Sequence, residues 1–127
     1  MKKISGLIHR NNYGFTLMEM MIVAVIIGIL CAIAIPNFIT VRNNTYRDAC
    51  ITNLRRIVAA KEHWAMETGA ADTDTPTAVQ LDPYIKDGTT SLVCPVDASK
   101  TFSTSYNINS IATNPACKIQ PATHVLP

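Results

Sequence analysis

The residues with the clearest chemical potential are four cysteines, three histidines and nine acidic residues in a chain of 127. Cysteine and histidine are the usual ligands of zinc, and short Cys-x-x-Cys or His-x-x-x-His spacings mark most zinc motifs. Neither spacing occurs here. The cysteines and histidines are Cys31, Cys50, Cys94, Cys117, His9, His63 and His124. The spacing therefore predicts no metal site.

The acidic residues beyond position 70 give no catalytic pattern. They are Asp72, Asp74, Asp82, Asp87 and Asp97. No loop places them at the alternating positions that calcium loops use, so calcium binding stays open but is not indicated. The sequence also lacks a Ser/His/Asp signature, a glycine-rich phosphate loop and a Walker motif. We therefore expect no enzymatic activity and no cofactor.

Length and composition indicate one ordered domain. The chain is 48% hydrophobic and 16% charged, which excludes disorder over most of its length. Residues 1–14 carry Lys2, Lys3 and Arg10 without any acid, and eight basic and nine acidic residues follow. The downstream part lacks a basic stripe, so the pattern does not indicate a nucleic-acid surface.

An apolar run over residues 17–35 is the longest feature of the sequence, and its only charge is Glu19. As a helix, these 19 residues span about 28 Å, close to the roughly 30 Å hydrocarbon core of a bilayer. A secretory signal peptide is the weaker alternative, because its apolar stretch is shorter and ends at a small-residue cleavage site. The basic residues before the run predict a single span with a cytoplasmic N-terminus and residues 37–127 outside.

Glu19 is the unusual residue of this run. A carboxylate in a membrane span costs free energy and is a functional candidate by default. The run contains no cation. Its partner must therefore be a chain terminus or another molecule, unless Glu19 lies close enough to the interface to stay hydrated.

The segment Gly-Phe-Thr-Leu-Met-Glu at positions 14–19 resembles the type IV prepilin signature. The basic leader before it, the apolar run after it and Pro36 complete the resemblance. Type IV pilins, type II secretion pseudopilins and competence pseudopilins share this signature. The resemblance implies that a prepilin peptidase/methyltransferase cuts between Gly14 and Phe15 and N-methylates Phe15. Gly14 suits the cut because it has no side chain to obstruct the close approach of the peptidase.

The same resemblance implies a role for Glu19 in assembly. Cleavage makes Phe15 a cationic terminus, which Glu19 of the same or a neighbouring subunit can pair with. Two unit charges about 4 Å apart attract by roughly 4 kcal/mol at an effective dielectric constant of 20. The implied partners are copies of the chain, other pilin-like subunits, an inner-membrane assembly platform and, before assembly, membrane lipid.

The predicted fold is α+β and pilin-like, with one long helix to about residue 67. Beyond the membrane, apolar residues recur at spacings of three and four, and Gly69 is placed as a C-terminal cap. This stripe comprises Cys50, Ile51, Leu54, Ile57, Val58, Lys61, Trp64 and Ala65. Pro36 is expected to kink the helix without ending it.

A small antiparallel sheet is expected to pack on the second half of that helix. Thr75 and Pro76 are predicted to cap and begin a short helix, and three β-like runs follow at 91–94, 102–108 and 116–119. The predicted divisions are a leader at 1–14, a membrane or filament-core helix at 15–36 and a head at 37–127.

The cysteines receive separate predictions. Cys31 is an apolar residue of the span, and Cys50 is buried and free on the helix stripe. Because the head is expected outside the cytoplasm, where disulfides are permitted, Cys94 and Cys117 are predicted to form one, which would stabilise the head by about 3 to 4 kcal/mol.

The leading prediction is a structural filament subunit, held in the inner membrane before it joins a periplasmic or extracellular filament. The small head and single short hairpin favour a type II secretion pseudopilin. The alternatives are a type IV pilus pilin for adhesion, motility or DNA uptake, and a single-pass anchor that never polymerises. The last alternative leaves Glu19 without a role.

Overall fold

A computed structural model describes residues 14–127, which form two compact units. The boundary between the units falls after Phe38. The N-terminal unit contains the apolar part of helix α1, Leu17–Thr68, and the rest of α1 lies in the second unit, from here on the head. Residues 1–13 of the predicted leader, 1–14, lie outside the described residues.

Helix α1 is the element that the sequence pattern identifies best. It runs through Pro36 without ending and stops at Thr68, where Gly69 takes a φ of +67° and donates its N–H to the Ala65 carbonyl at 2.9 Å. Glycine adopts this left-handed conformation without steric cost, which explains the end of the helix. The predicted kink at Pro36 stays a prediction.

In the N-terminal unit, every described residue of α1 is exposed. Large apolar side chains such as Leu17 and Ile33 are 84% and 65% exposed. The helix is long and apolar enough to cross a membrane. Apolar surface on this scale needs lipid or other helices around it.

The buried face of α1 in the head follows the predicted stripe. Cys50, Leu54, Ile57 and Lys61 are the stripe residues of α1 that are buried. Their spacing of three and four residues places them on one helix face, as the sequence indicates. The buried apolar residues of the head are Cys50, Leu54, Ile57, Ala60, Leu81, Ile85, Leu92, Cys94, Phe102, Tyr106 and Cys117.

A short helix α2, Ala78–Leu81, follows the loop after α1. The predicted cap at Thr75 is wrong, because Thr77 caps the helix. Its side chain accepts from the Gln80 N–H, and the Gln80 side chain accepts from the Thr77 N–H at 2.8 Å. This reciprocal pair satisfies two backbone N–H groups, those of Thr77 and Gln80.

The head contains fewer strand residues than the pattern predicts. The run at 91–94 is not a strand, and its first residue ends a 3₁₀ turn, Thr89–Ser91. Asp82 Oδ1 holds the start of this turn, because it accepts from both N and Oγ1 of Thr89 at 2.7 Å. The run at 102–108 begins as a helical turn α3, Phe102–Ser105, which Thr101 caps. Hydroxyl side chains that bond to nearby backbone favour such turns over strands.

The described sheet has two short strands, β1, Tyr106–Asn107, and β2, Ala116–Cys117. They are antiparallel, with Tyr106 opposite Cys117. The fold class is therefore α+β and pilin-like, as predicted. The sheet contacts α1 in the head, where Asn53 Nδ2 donates to the Tyr106 hydroxyl at 3.1 Å.

Candidate functional site

The proposed processing segment lies at the start of the described chain. Gly14 and Phe15 precede the first residue of α1 and are exposed, Phe15 by 77%. A Cβ at Gly14 would meet no atom within 4 Å, so the fold itself does not require glycine there. Packing in the described chain therefore gives no reason for a glycine at this position.

Thr16 and Glu19 organise the first turn of α1. The Glu19 N–H donates to Thr16 Oγ1 at 3.2 Å, and the Met20 N–H donates to the Thr16 carbonyl at 3.2 Å. A hydroxyl acceptor at this position satisfies an N–H that has no partner within the helix. The Thr-x-x-Glu spacing is a start signal for helices that the sequence analysis did not use.

Glu19 is the acidic residue of that first turn. The N-terminal end of a helix carries partial positive charge, which favours a carboxylate there. This explains how Glu19 is compatible with the helix. The partial charge of the helix end is not, however, a full cationic partner for the Glu19 carboxylate in apolar surroundings.

A second cluster of chemically active side chains lies in the core of the head. Its members are Cys50, Cys94, Cys117 and His124, and their ligand atoms all lie within 4.8 Å of one another. His124 Nδ1 lies 3.7 Å from the sulfur of Cys94 and 3.8 Å from that of Cys117. The two sulfurs of Cys94 and Cys117 are 3.9 Å apart.

Different elements position these four residues. Cys50 lies on α1, Cys94 follows the turn at Thr89–Ser91, and Cys117 ends β2. His124 lies in a C-terminal turn in which its N–H donates to the Gln120 carbonyl at 2.9 Å. Sequence spacing did not reveal this cluster, because its members are separated by 43, 22 and 6 residues.

Burial affects the protonation of Cys50, Cys94 and His124. It raises the pKa of the Cys50 and Cys94 thiols, because a thiolate loses its hydration inside the core. Burial also lowers the pKa of His124, and the positive charge of Arg47 acts in the same direction. The imidazole is therefore held neutral, the form that binds metals.

The predicted disulfide is not formed in this structure. The 3.9 Å between the sulfurs of Cys94 and Cys117 is well beyond the 2.05 Å or so of an S–S bond. The prediction that Cys50 is buried is confirmed. Cys50 is not separate from the other pair, however, since all three sulfurs share one cluster.

The N-terminal segment matches a known protein-family model. Residues 9–35 match the family model described as the prokaryotic N-terminal methylation motif. With its apolar first helix and small two-stranded sheet, the chain is type IV pilin-like.

The type IV major pilin protein PilA of Myxococcus xanthus (strain DK1622) is 48% identical to this chain over 57 residues. The aligned part covers 45% of this chain and 26% of the relative. The chain therefore spans about a quarter of the length of that relative. No solved structure matches the chain significantly.

Proposed function

We propose that the protein is a structural subunit of a type IV pilus-like filament. It is inserted in the inner membrane through the first part of α1, processed between Gly14 and Phe15, and assembled by packing that helix against its copies. The observation that carries the proposal is the combination of a methylation motif with an apolar helix whose described residues before Ile39 are all exposed.

The exposed apolar surface suits both stages of this cycle. Large side chains such as Met18 and Leu30 are 72% and 62% exposed, so lipid would surround them before assembly. In a filament, helices of other subunits replace the lipid. Because both surroundings are equally apolar, the transfer gains little hydrophobic free energy, and polar pairs can decide the register.

Glu19 is the polar group available for that pairing. Cleavage would create a cationic Phe15 amine a few residues away, on each subunit. Pairing between the Glu19 carboxylate and a Phe15 amine would replace the hydration that the carboxylate loses in the apolar core. The start of α1 then supplies both charges of the pair.

Among pilus-like filaments, the small head favours a type II secretion pseudopilus. After α1 it consists of single helical turns and a sheet of two two-residue strands in the described chain. The name of the relative, a major pilin, favours a surface pilus instead. Loss of secreted enzymes without loss of surface filaments, after deletion of the gene, would support the first assignment, and the reverse phenotype the second.

N-terminal sequencing of protein extracted from membranes tests the processing step. We expect the mature chain to begin at N-methyl-Phe15. A Gly14→Glu variant should retain its leader, because the new side chain obstructs the peptidase, whereas Gly28→Ala, at an open position of α1, should be processed normally. An intact Met1 in the unmodified protein would overturn the proposal and favour a non-polymerising anchor.

A further inference from the structure

The proposed filament assembly through the first part of α1 gives no role to the cluster of three cysteines and one histidine in the head. All four residues are buried: Cys50, Cys94 and Cys117 are at most 1% exposed and His124 is 5% exposed. Four separate segments of the chain supply one ligand atom each, and these atoms lie within 4.8 Å of one another. Such convergence of three sulfurs and an imidazole nitrogen needs an explanation beyond apolar packing.

The distances among the Cys94, Cys117 and His124 ligand atoms match the edges of a tetrahedral zinc centre. Zn–S and Zn–N bonds of about 2.3 and 2.05 Å give tetrahedral edges of roughly 3.8 Å between sulfurs and 3.6 Å between sulfur and nitrogen. The observed separation of the Cys94 and Cys117 sulfurs is 3.9 Å. Those from His124 Nδ1 to the same sulfurs are 3.7 and 3.8 Å. These three edges agree with the expected values within a few tenths of an ångström, and the Cys50 sulfur lies within 4.8 Å of the other three ligand atoms.

We propose that Cys50, Cys94, Cys117 and His124 form a structural zinc site. Thiolate and imidazole ligands select zinc over calcium and magnesium, which prefer oxygen. Four protein ligands fill a tetrahedral shell and leave no position for a substrate, as in structural rather than catalytic sites. Three thiols lose their protons to solvent on binding, and the centre carries a net charge of −1.

A hydrogen bond fixes the strand next to the ligand Cys117. Tyr106 lies opposite Cys117 in the sheet, and its hydroxyl oxygen accepts from Asn53 Nδ2 on α1 at 3.1 Å. This bond links the sheet to the helix that carries Cys50. Hydrogen bonds in the surroundings of a metal site hold its ligands in place.

A second set of hydrogen bonds fixes the turn that carries Cys94. The Ser105 hydroxyl accepts from the Cys94 N–H at 3.0 Å and donates to Asp97 Oδ2 at 2.7 Å. The Asp97 N–H in turn donates to the Cys94 carbonyl at 2.9 Å. The turn that carries Cys94 is thus held in place by its own backbone and by Ser105 of α3.

The zinc would cross-link the head. It would tie α1 to the loop before α3, to β2 and to the C-terminal turn, where the sheet contributes only two residues a strand. Small domains with limited cores commonly need such a staple. The site excludes the disulfide between Cys94 and Cys117, because the same sulfurs cannot serve both bonds.

Metal titration of the full chain in detergent tests the site. After removal of metal by a chelator under reducing conditions, Co²⁺ should bind at one equivalent and give the visible bands of a tetrahedral ion with a near-ultraviolet thiolate band. One equivalent of Zn²⁺ should displace it. Protein extracted from membranes without chelator or reductant should contain one zinc ion per chain by elemental analysis.

Variants separate a ligand from a merely buried residue. His124→Ala should weaken Zn²⁺ binding by more than the 10- to 100-fold that loss of an outer hydrogen-bond partner typically costs. His124→Cys should bind Co²⁺ again, with a stronger thiolate band, which shows that the head still folds. Cys31→Ser, at an exposed cysteine of α1, should leave the titration unchanged.

Three results would overturn the proposal, and none of them bears on processing at Gly14. The first is a Cys94–Cys117 disulfide in protein extracted without reductant. The second is a Co²⁺ complex without a thiolate band. The third is unchanged metal affinity in His124→Ala.

Discussion

Two carboxylates, one in the first turn of α1 and one in a turn of the head, differ in the partners that the structure gives them. Glu19 is compatible with the helix because it lies in the first turn, yet its carboxylate needs a cationic partner in an apolar environment. Asp82 differs from Glu19, because its carboxylate accepts hydrogen bonds from the N–H and the hydroxyl of Thr89. These two acids give separate predictions.

Replacing Glu19 should block assembly and leave processing intact. Glu19→Ala removes the carboxylate that would pair with the Phe15 amine, so we expect filament yield to fall at least tenfold by electron microscopy and shearing assays. Glu62→Ala, at an exposed acid of α1 in the head, is the matched control and should assemble normally. Normal filament yield from Glu19→Ala would exclude the pairing.

Asp82 should make the head sensitive to acid. The hydrogen bonds from the Thr89 hydroxyl and N–H lower the pKa of Asp82, so this carboxylate stabilises the head fully above about pH 4, the usual carboxyl pKa. The contribution is lost as the pH falls through the lowered pKa. Asp82→Asn should therefore reduce stability at pH 7 and show a weaker loss in acid.

Unfolding of the detergent-solubilised chain, followed by the fluorescence of Trp64, measures this effect. Asp87→Asn provides a control at another exposed acid of the same turn region. Equal acid dependence in Asp82→Asn and the unmodified chain would rule out Asp82 as the source.

At the level of elements, the head is held to α1 by polar as well as apolar contacts. Lys61 lies on the buried face of α1 and is 2% exposed. Its Nζ donates to the carbonyls of Ile108, Ser110 and Thr113 at 3.0, 2.6 and 2.7 Å. The connection between β1 and β2 is therefore fastened to the helix by one ammonium group.

Removing that ammonium should loosen the β1–β2 connection. Lys61→Met keeps the length of the side chain but leaves the three carbonyls without this donor, which should lower the free energy of unfolding by about 1 to 3 kcal/mol. Chemical denaturation in detergent measures the loss, and amide exchange should rise in residues 108–113. Lys86→Met, at an exposed lysine, should change neither quantity; equal behaviour of the two variants would contradict this role.

At the level of the whole molecule, the two units have different tasks. In the proposed function, processing and insertion depend on residues before Ile39, whereas the buried apolar core begins at Cys50. The stability of the head and the processing of the leader should therefore respond to different substitutions.

Leu54→Ala tests that separation. Leu54 is fully buried, so its truncation should cost the head about 2 to 5 kcal/mol. Cleavage at Gly14 and extraction with the membrane fraction should stay unchanged, as measured by N-terminal sequencing and fractionation. Loss of cleavage in Leu54→Ala, at normal protein levels, would show that processing requires a folded head.

The sequence by itself determined the long helix, its apolar first part and its buried stripe. It also indicated the proposed processing segment and the proposed assembly role of Glu19. These features depend on residues close together in the chain: helical periodicity repeats every three or four positions, and the signature occupies six adjacent residues.

Only the tertiary structure decided the details of the head and its cysteine cluster. Thr77 rather than Thr75 caps α2, and residues 102–105 form a helical turn, because hydroxyl side chains choose between local hydrogen bonds that have similar free energies. Cys50, Cys94, Cys117 and His124 meet only after α1, β2 and the C-terminal turn have packed together. Contacts between residues tens of positions apart follow from that packing, and no local spacing in a single sequence encodes them.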